Sequence, residues 1–468
     1  MITYLEINGF KTFQEFKIEL APFVIIAGTN GSGKSNLFDA LRLLSRIAET
    51  DLKTAFNEQR GDAGELFTLF PDGSTINTMS FVIEMLVDKK IKDSWGGEET
   101  LKYTRLRYEL EIERRKDERQ LERLYVLKEQ LTTIKVDDDK WEKKYILLNQ
   151  EHWRPKVKTG KRGIPYISTN FEANANRIQL HQDGKGGLKQ SPAGIIEQTI
   201  LSSVNSVEFP HALAAKQEMR NWHFLQLNPE ELRKPSPRLA KDVISEDGSN
   251  LAAALFRIKS DDKFALKDIS RELTNLLPAF LSVEVDEDLS RDQYVVKLKT
   301  EDKRVFSSKV LSEGTLRLLA LCTIKYDNKF TGVLNFEEPE NGVHPYRLEF
   351  VVNLLKEITT DFTQDEAKYL PLRQVITNTH SPKFVGEIFK HNIQARVLFA
   401  SMINSIVPDR REKIRVTKML PVIHKEANNQ MQLFERVNIT PQEKAITLNE
   451  VNTYLQSADY EQIISENF

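Results

Sequence analysis

The sequence has a single cysteine, Cys322, among its 468 residues, so no disulfide can form within the chain. An excess of either charge is also missing. Lysine and arginine total 66 against 68 aspartates and glutamates, a formal net charge of −2. That excludes a histone-like polycation while leaving room for a local basic face. No apolar run approaches the ~20 residues that span a bilayer. The opening stretch Met1–Phe13 is interrupted by Glu6 and Lys11 and does not read as a secretory signal. With no targeting address, the expected location is the cytoplasm. No repeat of fixed period occurs, and no heptad holds over three repeats, so a long coiled-coil arm is not expected. What remains, 40% hydrophobic and 29% charged residues, is a globular balance. At ~150 residues per domain the length suggests about three domains, or one large domain with an insertion.

The N-terminal segment reads as strands. Phe16, Ile18 and Leu20 alternate with polar residues, and Phe23–Ala27 is a short continuous apolar run that suits a fully buried strand. From Asn36 to Thr50 the apolar residues recur at helical spacing. Between Asp88 and Gly160 the composition changes, with 35 charged residues in 73, about 48%. There, residues 103–113 alternate as a charged-faced strand, with 121–134 as its antiparallel partner or a helix. The alternation leaves either a wet sheet face or a docking surface. Residues 158–187 read as loop, 195–204 and 211–222 as helices, and Arg233–Arg238 as a linker. The later half alternates helix (250–258, 269–277, 311–324, 347–358, 382–389) with strand (281–285, 293–298, 332–336, 374–378), the pattern of an α/β layer. Thr440–Glu443 carries a helix-start signature. Trp153, Trp222 and Cys322 are expected in the core. The run Arg154–Arg162 holds five cations and no acid, which suits a solvated loop or a grip on nucleic-acid phosphates.

Three constellations carry chemistry. Gly28-Thr-Asn-Gly-Ser-Gly-Lys34-Ser35 matches the phosphate-loop pattern G-x-x-x-x-G-K-[ST], between a buried strand and an amphipathic helix. Glycine permits the positive φ that turns successive N–H groups onto phosphate oxygens, and the helix N-terminus adds its dipole. Lys34 is expected at the β- and γ-phosphates and Ser35 on Mg²⁺, with Asn30, Gly31, Ser32, Gly33 and Asn36 lining the nucleotide.

Second, Val333–Phe336 runs into Glu337-Glu-Pro-Glu-Asn-Gly-Val-His-Pro345. Carboxylates at the C-terminal end of a buried strand lie where α/β sheets place ligands. Glu337 is the candidate metal partner and Glu338 the candidate base that positions the attacking water. The plain alternative is an acidic loop ended by prolines.

Third, Leu311-Ser-Glu-Gly-Thr315 opens a helix, so Ser312 and Gly314 form a second anion site or a plain cap. One nucleotide does not easily occupy two separated phosphate sites of one chain, which points to two chains facing each other. His380, after the strand 374–378, is the candidate γ-phosphate sensor.

Together these residues resemble the ABC-class ATPases of the RecF, SMC and OLD branch, and within it the bacterial "predicted ATPase" group. The carrying segments are Leu5–Phe13, Asn221–Phe224, Asp247–Ala254, Leu311–Arg317 and Phe336–Pro345, over roughly residues 1–400. The resemblance implies an α/β fold: a P-loop ABC-type ATPase head with an N-terminal antiparallel β lobe and a mixed α+β insertion between phosphate loop and signature. It implies ATP and Mg²⁺ as cofactors, Gln59 as the glutamine that senses Mg²⁺ and water, and Lys11 reaching phosphate from the first strand. Glu337 stands where aspartate is usual, and Glu313 where many relatives have glycine.

The expected organisation is an ATPase N-lobe (1–90), a charged insertion (91–240), an ATPase C-lobe (241–405) and a tail that docks a partner (406–468). The expected function is ATP-dependent head dimerisation that regulates a separate effector, such as a nuclease or toxin, as in anti-phage modules. No nuclease site is expected on the chain itself. The alternative is a RecF-like repair ATPase clamping duplex DNA. A transporter subunit is disfavoured by the first strand, the charged insertion and the Glu-Glu-Pro-Glu strand end.

Overall fold

The structure is a computed structural model that describes residues 1–155, 165–171, 176–182, 188–391, 393–407, 412–425, 430–433, 451 and 453–456. Most of the basic run 154–162, part of the stretch 158–187 and the helix start at 440–443 lie outside the described residues; where 158–187 is described, the expected loop is replaced by two strands, Ile167–Asn170 and Arg177–His181, which pair with each other.

Two large sheets face each other. The first is antiparallel, eight strands in the order β11-β10-β9-β8-β7-β4-β1-β2. It is built from β1 (Ile2–Asn8), β2 (Phe16–Glu19), β4 (Thr78–Leu86), β7 (Arg105–Lys116), β8 (Glu122–Thr133), β9 (Ile167–Asn170), β10 (Arg177–His181) and β11 (Leu188–Pro192). The charged run thus forms the paired strands β7 and β8, and β7–β11 continue the sheet that β1, β2 and β4 begin. A short hairpin, β5 (Lys90–Lys92) with β6 (Glu98–Thr100), lies beside it.

The second sheet has the order β12-β17-β18-β3-β19-β20-β21. Its strands are β3 (Phe23–Ala27), β12 (Trp222–Leu225), β17 (Gly332–Glu337), β18 (Arg373–Thr379), β19 (Arg396–Val407), β20 (Glu412–Lys425) and β21 (Gln430–Leu433). The first five in that order are parallel, and β20 and β21 are antiparallel additions. All of β3 and β18 is buried, as expected of parallel strands covered on both faces. A third sheet joins β13 (Ser236–Pro237), β14 (Phe280–Asp288), β15 (Gln293–Thr300) and β16 (Val305–Ser307).

The helices are α1 (Lys34–Ile47), α2 (Leu52–Asn57), α3 (Lys140–Tyr145), α4 (Gln150–Trp153), α5 (Pro210–Arg220), α6 (Pro229–Arg233), α7 (Leu251–Asp261), α8 (Ala265–Leu276), α9 (Glu313–Tyr326), α10 (Leu348–Ile358) and α11 (Pro382–Lys390). Among the described residues no helix is long and apolar enough to cross a membrane. The helical spacing at 195–204 does not yield a helix: only the 3-10 turn Leu201–Ser203 forms. Long-range bonds override the local pattern. Gly194 and Ile196 exchange backbone bonds with Val126, and the Glu129 carboxylate accepts from the Ile200 and Leu201 N–H groups.

Alternate residues of a strand point to opposite faces, and that alternation sorts the helices. Leu37, Leu41 and Leu44 of α1 pack with Val24, Ile26 and Ile376, in the core shared with the antiparallel sheet. Leu316 and Leu319 of α9 pack with Ile25, Phe336 and Val375, together with α7, α8, α10 and α11. So α1 and α9 cover opposite faces of the parallel sheet. Trp153, Trp222 and Cys322 are all buried.

Candidate functional site

Because β3, β17 and β18 are parallel and adjacent, their C-terminal ends share one edge, with Ala27 opposite Thr379 and Glu337 opposite Asn378. At that edge β3 passes into residues 28–33. Gly31 and Gly33 have φ of +77° and +88°, the left-handed region that glycine enters without strain. A Cβ at Gly33 would lie 1.9 Å from Thr417 Oγ1. Thr417, on β20, supports the loop from below: its hydroxyl bonds the Ser32 carbonyl (3.3 Å) and Thr12 Oγ1 (2.7 Å), which in turn accepts from Asn36 Nδ2 (2.8 Å).

Lys34 Nζ donates to the carbonyls of Gly28 (2.7 Å) and Thr29 (2.8 Å), so the ammonium folds back over the loop. Burial lowers its pKa, while Glu338 and Glu340 act on it in the opposite sense. Asn30, Gly31 and Ser35 are exposed at the mouth of the loop. Ser32 is buried, and among the described residues its hydroxyl has no partner. Lys11, with φ +44°, makes an ion pair with Asp39 of α1 at 2.7 Å. Gln59 follows α2 and is buried. Its Nε2 donates to the Ala55 carbonyl (3.1 Å), and Oε1 has no donor among the described residues.

At the end of β17, burial raises the Glu337 carboxyl above its ordinary range; Asp39 and Glu338 push the same way, and Arg60 and Arg42 oppose them. The next residue, Glu338, sits at φ +49°. That backbone costs a non-glycine residue of order 1 kcal/mol and is held by Asn378, whose carbonyl and side-chain oxygen both accept from the Glu338 N–H (3.1 and 3.0 Å). Glu338 Oε1 meets His380 Nδ1 at 3.0 Å, and Oε2 accepts from Asn341 Nδ2 at 2.6 Å. The strained backbone and two side-chain bonds aim this carboxylate and the imidazole at the open edge.

Three contributors went unrecognised in the sequence. Thr417 and Asn378 act through the three-dimensional contacts just described. Glu340 is buried at the same edge: Oε1 accepts from Thr379 Oγ1 at 2.5 Å and lies 4.0 Å from His380 Nδ1, while Oε2 has no donor among the described residues. Burial raises its pKa. Its only sequence signal was a third glutamate beside the pair already singled out.

Ser312 and Gly314 are elsewhere. Ser312 caps α9, accepting from the Thr315 N–H at 3.3 Å. A Cβ at Gly314 would lie 3.0 Å from the Gly342 carbonyl, so this turn packs on the loop that follows β17. The cavity there is lined by residues of 312–318 and 342–347, with none from the phosphate loop. Both helix starts lie at one sheet edge but on opposite faces. The structure therefore gathers Lys34, Ser35, Glu337, Glu338 and His380 at one edge and leaves Ser312 and Gly314 on the other side of the sheet.

A family model described as an AAA ATPase domain matches residues 1–385. No curated protein matches the chain. Solved structures with similar chains include an SMC head bound to the C-winged helix domain of ScpA (15% identity, TM-score 0.47, covering 90% of this chain and 97% of that one). Others are the SMC head domain from Thermotoga maritima (12%, 0.35, 90% and 99%) and the Pyrococcus furiosus Smc head with an extended coiled coil bound to the C-terminal domain of ScpA (14%, 0.44, 90% and 96%).

Proposed function

The chain belongs to the AAA ATPase domain family and is an ATP-hydrolysing enzyme; on that footing we propose that two copies close head to tail on ATP, each completing the other's site. One observation carries this reading: α1, which bears the phosphate loop, and α9, which bears Ser312, lie on opposite faces of one sheet. A nucleotide on the loop of one chain has that sheet between it and its own Ser312. A facing copy removes the obstacle, bringing its Ser312 and Gly314 to the γ-phosphate.

Within each site, Lys34 exchanges the Gly28 and Thr29 carbonyls for phosphate oxygens, a cheap exchange because the ammonium is already desolvated. Glu338, fixed by Asn378 and Asn341, orients the attacking water. His380, its Nδ1 turned to Glu338, presents Nε2 to the γ-phosphate. The donor set fits a divalent cation: an exposed Ser35 hydroxyl, the unpaired buried Gln59 Oε1 and the Glu337 carboxylate are hard oxygen ligands. Ser35, Gln59 and Glu337 would hold Mg²⁺, which would supply neutralisation of the phosphate charge. Lys11, spent on Asp39, and Asn36, spent on Thr12, shape the loop in this reading.

We assign head closure to the control of a separate effector protein. The support is the resemblance of such single-domain ATPases, as a class, to components of two-gene anti-phage modules. A pull-down of the native complex tests this part, and recovery of no nuclease or toxin contradicts it.

For the two-copy reading, the test is light scattering with and without ATP. Glu338→Gln should bind ATP, hydrolyse it ~10²–10⁴-fold more slowly and double in mass. Lys34→Ala should lose ATP binding and stay monomeric. A monomeric Glu338→Gln protein saturated with ATP would refute the head-to-tail reading.

A further inference from the structure

Beside Ser312, the loop after β17 doubles back onto α9 and encloses a cavity of about 310 Å³, lined in part by Ser312, Glu313, Gly314, His344 and Arg347. A carboxylate in a phosphate site would repel its ligand, yet Glu313 is neutralised from within. Its Oε1 accepts from Arg317 Nε at 2.9 Å, and Arg317 Nη2 donates to the Leu227 carbonyl at 3.1 Å. Arg317 is buried and held in place by those bonds. His344 is committed as well, its Nδ1 accepting from the Tyr346 N–H.

Arg347 is not committed. It closes the 3-10 turn Pro345–Arg347 and is half-buried. Among the described residues its guanidinium makes no ion pair or hydrogen bond. A guanidinium offers five N–H donors in a planar fork that matches phosphate oxygens. Opposite it, the N–H groups of Glu313 and Gly314 have no intrahelical acceptor, since they open α9. One cation, one hydroxyl and two amides around a small cavity select a phosphoryl group, and the phosphate loop of the same chain contributes nothing to the lining.

We propose that Arg347 is a catalytic residue acting in trans: it contacts the γ-phosphate of ATP held by the phosphate loop of a second copy and stabilises the charge that develops on the transferred group. The proposal rests on the two-copy reading above. Water attacks γ-phosphorus and passes its proton to Glu338 of the chain that holds the nucleotide, the bond to the bridging oxygen breaks, and ADP and phosphate leave; Arg347 exchanges no proton and adds only charge. A guanidinium supplied this way is worth ~10³–10⁵ in rate where it has been measured in other phosphoryl transferases.

The test is complementation between inactive chains. Arg347→Ala should lower kcat about a hundredfold or more with the KM for ATP changed little, because the nucleotide's own loop is intact. Arg347→Lys should recover part of that loss, and a thermal melt of Arg347→Gln guards against a folding defect. Mixing Arg347→Ala with Lys34→Ala should restore part of the wild-type rate: Lys34→Ala does not pair with itself, but its intact Ser312 turn and Arg347 complete the ATP site held by Arg347→Ala, so each mixed dimer holds one complete site. A parallel mixture of Ser312→Arg with Lys34→Ala is the control. Rescue in the control without rescue by Arg347→Ala overturns the assignment of Arg347 alone. Rescue in neither overturns the two-copy reading with it. Unchanged kcat in Arg347→Ala also overturns the proposal.

Discussion

At the scale of single residues, the edge of the parallel sheet concentrates groups held away from their resting preferences. Glu338 has a left-handed backbone, and the Glu340 side chain is largely buried, with one oxygen unpaired among the described residues. Thr379 ties Glu340 to the strand that leads into His380, so Glu340 fixes the imidazole's base without reaching the open edge itself. Glu340→Ala should leave the Thr379 hydroxyl without its acceptor and destabilise by about 1–3 kcal/mol. It should also lower kcat, with the KM for ATP little changed. Glu340→Gln keeps an acceptor for Thr379 and should restore the melting temperature. Calorimetry beside steady-state kinetics checks both; a Glu340→Ala protein with wild-type melting and kcat would exclude this role. The phosphate loop and the acidic strand end were legible in the sequence because their chemistry constrains residue type locally: glycine for φ, lysine for charge, carboxylates at a strand end. Glu340's burial and the absence of a partner for Arg347 among the described residues were not, since both depend on the three-dimensional surroundings.

At the scale of elements, the same division holds. Buried parallel strands such as β3 and β17 announce themselves as continuous apolar runs, and β7 and β8 by alternation. The turn at 200–203 does not, because Glu129 and Val126 decide it from another strand. Strand β20 falls in the stretch read from sequence as a partner-docking tail, yet its Thr417 braces the phosphate loop. Thr417→Val preserves the side chain's volume and removes its bonds to Ser32 and Thr12. ATP affinity should fall several-fold, about 1 kcal/mol for the lost hydrogen bonds, with the overall melting temperature nearly unchanged. Titration calorimetry with ATP measures this, and an unchanged Kd would show that the brace does not matter to the loop. Gly33→Ala should be far worse, meeting Thr417 and a φ of +88° together.

At the scale of the whole molecule, one contribution to acid stability comes from the imidazole of His223 on β12. His223 stacks on Phe330 at 4.3 Å, its Nε2 lies 3.1 Å from the Thr331 carbonyl, and burial pushes its pKa down to about 4. A depressed histidine pKa means that the unfolded chain takes up the proton first. The stabilising contribution is whole above pH 6.5 and is lost as pH falls toward 4, up to about 3 kcal/mol. Melting temperature should drop across that interval, and His223→Gln should flatten part of the drop; identical acid limbs in both proteins would contradict it. The larger question is how two half-sites on opposite faces of a sheet make one catalyst. The most direct measurement is a structure of Glu338→Gln with ATP and Mg²⁺ bound. Ser312 Oγ of one copy should lie about 3 Å from the γ-phosphate that Lys34 of the other copy holds. Nucleotide bound on the loop with every Ser312 remote from phosphate would contradict it.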